Sequence, residues 1–349
     1  MKRSFFTLIL IALGYIAGAQ DIHFSQFYMA PLDLNPALTG VMNSKMRFTA
    51  NFRNQWAPIL KGDAYNTYML GYDQKIPVGR YDYFGFGASF WGDRAGALGF
   101  GTSQFKLSGS YSKRLGGSRT SSHYLVFGAN GGLSQRSVNF NNAQWGSQHS
   151  GNGTHDPNGL EDPSIGTADN NFIFADVSIG ALWFSILDEN NNFYAGLAMS
   201  HLNQANISFY NNDIVPLYSK LTFHAGGEFM LNRQLYIVPG VVYFSQGPSW
   251  QVNSGGNFRF ILDRRRGSRQ SFDIGMWARV ANGISEKGPT FDAVILSTRF
   301  DYNDFGLGFT YDINVSGLTQ ASPANNAFEL SLIYTIDGPE RRGVYCPNF

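Results

Sequence analysis

Six histidines, His23, His123, His149, His155, His201 and His224, are the side chains best suited to acid–base work near neutral pH. None stands in a GxSxG or HExxH setting, so the sequence signs of a hydrolase nucleophile or a zinc helix are missing. The stretch 137–171 gathers His149, His155, Asp156, Glu161, Asp162 and Asp169. Such oxygen-rich side chains suit a divalent cation, but their spacing matches no calcium loop, and a long polar surface connection accounts for them. Cys346 is the single cysteine, which rules out an internal disulfide framework and any Cys-rich metal site. The run GASFWGDRAGALGFG (87–101) lacks the lysine of a phosphate loop and the strand-to-helix setting such a loop needs. No catalytic, cofactor-binding or metal set is assigned, and the chain is read as non-enzymatic.

The remaining charges follow a different pattern. Arg47, Arg53, Lys106, Lys220, His224, Glu228, Arg259, Asp273, Arg279, Asp312 and Glu329 each occupy the polar side of a strictly alternating segment. Phe305, Leu307, Phe309, Tyr311, Ile313 and Val315 alternate with Gly306, Gly308, Thr310, Asp312, Asn314 and Ser316, and a period of two marks a strand. Both charge signs occur along this face, with no single-sign ring to select an ion, which favours a closed, structural interior.

Composition agrees with a β protein. Of 349 residues, 40 are glycine; aromatic and charged residues each make up 15%, which excludes a disordered chain. The balance of 26 Lys and Arg against 25 Asp and Glu leaves no electrostatic footprint for nucleic acid. Lys2 and Arg3, an apolar run to Ile16 and Ala17-Gly18-Ala19 read as a secretory signal peptide over residues 1–19. Beyond it no long apolar run remains, so a membrane-embedded form must be a closed barrel. The spacing predicts an all-β, transmembrane outer-membrane antiparallel barrel of about 14 strands over residues 44–337. The predicted strands are 44–56, 63–76, 82–92, 101–115, 121–135, 172–187, 192–203, 217–231, 234–246, 249–262, 270–281, 290–301, 304–317 and 326–337. Short connections alternate with longer ones, as periplasmic turns alternate with surface loops; the tight Gly247–Pro248 connection departs from the rule. A secreted β-sandwich also alternates, but its strands run shorter.

Residues 20–43 precede the first strand as a periplasmic arm or plug. Pro31 and Pro36 argue against a central strand, while Phe24, Phe27, Met29, Leu32, Leu34 and Leu38 favour docking over solvated disorder. Residues 338–349 form a C-terminal periplasmic tail.

Three segments carry a family resemblance: FSQFYMAPLDLNPALTG (24–40), Arg53-Asn54-Gln55-Trp56 and the terminal Cys346-Pro347-Asn348-Phe349. Together they resemble the PorP/SprF family, outer-membrane proteins of the type IX secretion and gliding system of Bacteroidota. The resemblance marks Phe24, Gln26, Tyr28, Asn35, Pro36, Gly40, Arg53, Gln55, Trp56, Cys346, Pro347 and Phe349 as family-motif positions and candidate partner contacts. Asn348 departs from the pattern, where arginine is expected. Membership implies an outer-membrane location, contact with lipid, and one of two jobs. One is to anchor or present at the cell surface a secreted cargo protein with a type B C-terminal signal domain. The other is to serve the secretion machine against its periplasmic ring components. A channel for small solutes or hydrophobic molecules is the alternative of a different class.

Overall fold

The computed structural model describes residues 21–118, 120–140, 143, 145, 148, 169–188, 190–210, 213–263, 270–282, 288–316 and 326–338. Fourteen strands follow one another along the chain. They are β1 (Met46–Gln55), β2 (Tyr65–Val78), β3 (Asp82–Ala95), β4 (Phe100–Gly116) and β5 (Ser122–Ser137). Next come β6 (Asn171–Ile186), β7 (Asn192–Ser200), β8 (Lys220–Asn232), β9 (Leu235–Gln246) and β10 (Ser249–Asp263). The last four are β11 (Gln270–Asn282), β12 (Pro289–Tyr302), β13 (Phe305–Asn314) and β14 (Asn326–Ile336).

Each strand pairs antiparallel with its neighbours in sequence, and β1 pairs with β14 from Met46↔Ile336 to Gln55↔Ala327. The sheet therefore closes into a barrel with no free edge, which meets the requirement that every strand backbone group find a partner in lipid. The strand count and alternation match the expectation. Strand ends differ by a few residues where local geometry overrides the pattern. β7 stops at Ser200 because His201 takes a left-handed conformation (φ 57°) that a strand does not continue through. The β1–β2 connection holds single helical turns at Ala57–Leu60 and Lys61–Asp63, too short to leave a periodic signal.

The apolar face of each strand points outward. Phe48, Leu133, Ile173, Met276 and Phe305 are all exposed, with Ile173 reaching 67%, while Arg47, Thr49, Ser134, Phe174 and Trp277 beside them point inward and are buried. A soluble protein does not expose apolar surface on this scale; lipid is its natural solvent. The two mouths of the barrel also differ. One collects the short connections 79–81, 117–121, 187–191, 233–234, 264–269 and 303–304. The other collects 56–64, 96–99, 138–170, 201–219, 247–248, 283–288 and 315–325. No helix among the described residues is long and apolar enough to cross a membrane, so strands do the crossing.

Residues 21–42 lie inside the barrel. Phe24, Phe27, Met29, Leu32, Leu34 and Leu38 are buried, and Leu38 has no exposure at all. Short turns at Phe27–Met29, Pro31–Leu34 and Pro36–Leu38 fold this arm compactly, each of the last two opened by a proline whose missing N–H costs nothing there. The core of the molecule is the contact between arm and wall, not a layer between two sheets.

Candidate functional site

The site is the seam where the arm meets the inward face of the wall. Strand alternation sets the inward side chains, and the arm supplies backbone groups and small polar side chains to meet them.

The densest cluster surrounds Ser25. Arg53 on β1 and Glu329 on β14 are directly opposed across the seam that closes the barrel, and they form a buried ion pair. Arg279 on β11 and Asp312 on β13 join them, with Arg279–Asp312 at 2.7 Å and Arg53–Asp312 at 3.2 Å. Two guanidiniums thus balance two carboxylates out of water. The arm completes the cluster. Its backbone N–H groups at Ser25 and Gln26 donate to the two carboxylate oxygens of Glu329 at 2.6 and 2.9 Å. The Ser25 hydroxyl donates to Asp312 at 2.7 Å and accepts from both Arg53 and Arg279. Buried ion pairs seldom out-stabilise apolar packing, but they fix position sharply, because an unmatched charge inside is costly.

A second cluster holds the start of the arm at the mouth with the long connections. His201, just past β7, lies between Asp21 and Asp176 of β6, with its Nδ1 2.7 Å from Asp176. Asp176 also meets Lys106 at 2.7 Å and Gln104 at 3.0 Å. Burial alone would lower the His201 pKa, but the flanking Asp21 and Asp176 carboxylates push it up to about 9. Burial likewise opposes ionisation of Asp21, yet His201 holds its carboxyl well below the usual range.

At the opposite mouth, Gly40 N donates to Asp73 at 2.7 Å, and Arg47 binds the same carboxylate at 2.8 Å. Midway, Asn35 donates from Nδ2 to the carbonyls of Ala181 and Leu197 at 3.1 and 3.3 Å. Its side-chain oxygen accepts from Ala37 N at 2.8 Å and so caps the turn Pro36–Leu38. Tyr28 stacks on Trp277 with ring centres 5.6 Å apart. Two wall glycines seat the arm: a Cβ on Gly85 would lie 2.1 Å from Thr39 O, and one on Gly128 would lie 2.4 Å from Pro36 O. Only glycine admits so close an approach of two backbones.

The structure thus places Phe24, Gln26, Tyr28, Asn35, Pro36 and Gly40 on the arm within the lumen, and Arg53 on the wall. Gln26 and Arg53 meet through Glu329. Asn35 and Gly40 sit in separate clusters, and Gln55 and Trp56 stand half-buried at the far end of β1. Cys346, Pro347 and Phe349 lie outside the described residues. Sequence reasoning missed Asp21, Ser25, Asp73, Asp176 and His201 as anchors. Asp176 left one trace, as the lone charge in the apolar run 172–187. Among the described residues no group of three or more His, Cys, Asp or Glu is placed to hold a metal ion.

A closed fourteen-stranded barrel with an apolar exterior and a polar, charge-paired interior defines an outer-membrane β-barrel protein. The model of the family described as type IX secretion system membrane protein PorP/SprF matches residues 16–334, and the chain belongs to that family. No curated protein matches it. Among solved structures, the chain is similar to the TodX deltaS2S3 mutant monoaromatic hydrocarbon channel, at 11% identity and TM-score 0.48, covering 88% of this chain and 94% of that one. The Pseudomonas putida toluene transporter TodX is similar at 8% identity and TM-score 0.44, over 88% and 93% of the two chains. CdiB from Escherichia coli is similar at 7% identity and TM-score 0.46, over 83% of this chain and 63% of that one.

Proposed function

We propose that this protein is a plugged outer-membrane anchor that retains a secreted cargo protein, bearing a C-terminal signal domain, at the cell surface. The long connections face outward in this reading, and 138–170 and 201–219 form the docking rim. One observation carries it: the arm runs the length of the lumen and is bound to the wall at both mouths and midway, through Asp21–His201, Asn35–Ala181 and Gly40–Asp73. An occupied lumen of this kind favours a holding role over an open aqueous pore. In this reading residues 1–19 are a secretory signal peptide, and its removal leaves the arm as the amino end.

Deletion of residues 147–168, followed by pull-down of secreted proteins with a C-terminal signal domain, tests the reading. Loss of cargo retention with an intact barrel is the expected result. Unchanged retention, with loss of periplasmic ring components when the tail 338–349 is removed, would favour the secretion-machine role instead.

A further inference from the structure

The course of the arm through the lumen bears on which side of the membrane its amino end faces. Asp21 is held entirely by groups at the mouth with the long connections. Its backbone N–H donates to Gln246, the last residue of β9, at 2.9 Å, and its carboxylate pairs with His201, just beyond β7. The next residue is fixed there too, since Lys220, the first of β8, donates from Nζ to Ile22 O at 3.3 Å. His23 follows, its ring against Phe244 near the end of β9.

The other end of the arm is fixed at the opposite mouth. Gly40 binds Asp73, and Lys75 donates to Met42 O. Lys45 N donates to Ile336 O, the last residue of β14, at 2.9 Å. Between these ends the contacts progress in order. Ser25 meets Asp312 and Glu329, Asn35 meets Ala181 and Leu197 in mid-wall, and Thr39 O accepts from Ser110 toward the short-turn mouth. The arm therefore runs the length of the lumen, entering at one mouth and leaving at the other.

We propose that the amino end of the arm is displayed at the cell surface, where the flank of Asp21 adds to the docking rim beside the 201–219 connection. This rests on the outward placement of the long connections adopted under Proposed function. A barrel whose first strand starts at the short-turn mouth would ordinarily leave its amino end in the periplasm. Here the buried anchors carry it across instead.

Cysteine accessibility on whole cells tests this. In a Cys346→Ser background, one variant carries a Gly-Ser-flanked cysteine inserted directly before Asp21. Two reporters accompany it: Ile214→Cys in the long connection, 84% exposed, and Arg80→Cys in the turn 79–81. A membrane-impermeant maleimide on intact cells should label the inserted cysteine and Ile214→Cys alike, with Arg80→Cys labelled only after the outer membrane is permeabilised. If the inserted cysteine instead needs permeabilisation while Ile214→Cys does not, the threading is wrong and the outward docking rim survives. If Arg80→Cys labels in intact cells and Ile214→Cys does not, the surface display falls together with the rim beneath it.

Discussion

Glu329 and Ser25 meet head-on inside the barrel: both oxygens of the Glu329 carboxylate are taken by consecutive backbone N–H groups, those of Ser25 and Gln26. Glu329 is wholly buried, and Arg53 supplies its counter-charge from the adjacent strand. A residue of the seam that closes the sheet on itself thus also grips the arm. Closure of the barrel and seating of the plug are coupled through one side chain.

Removing either partner of this pair leaves a buried charge uncompensated. Arg53→Ala or Glu329→Ala should each cost about 3–5 kcal/mol, the penalty typical of a broken buried ion pair. Because both belong to one network, the double variant should cost less than the sum. Unfolding of the detergent-solubilised barrel in a denaturant series measures this; additive losses would show that the two act separately.

The glycine seats predict a different phenotype. Gly128→Val places side-chain atoms where Pro36 O lies, and Gly85→Val does the same at Thr39 O. Neither changes the outward face or the strand pairing. The barrel should still insert, with the arm displaced and the outer membrane leaky to a bulky antibiotic. Wild-type resistance in both variants would mean that the arm does not need these seats.

The Asp21–His201 latch is pH-dependent, with a window set by both groups. The folded pKa of His201, about 9, lies above its ordinary 6.5, so its contribution is complete below 6.5 and fades as pH rises through 9. Asp21 is lowered from 3.8, so its contribution is present above that value and fades as pH falls below it. Protection of the amides at residues 21–24, taken relative to their intrinsic exchange rate at each pH, should be greatest between these limits and fall on either side. In His201→Gln the alkaline limb should vanish; its persistence would assign the effect to another group.

The barrel was legible because alternation survives in almost every strand, and the arm's apolar content was equally plain at Phe24, Phe27 and Leu38. What the lumen does with its charges was not. Asp312, Arg279 and Arg53 sit on β13, β11 and β1, no two of which are adjacent, and closure of the sheet brings them together around Ser25. No local spacing encodes that meeting. Gly85 and Gly128 were likewise visible only as strand glycines that curve a barrel; that they face Thr39 and Pro36 depends on the path of the arm.

Planar-bilayer conductance of the purified barrel, compared with a variant lacking residues 21–43, addresses the plugged anchor most directly. The intact protein should be electrically silent, and deletion of the arm should open a steady conductance through the charge-lined lumen. A large, steady conductance in the intact protein, equal to that of the deletion, would contradict the plug and restore the channel as the better reading.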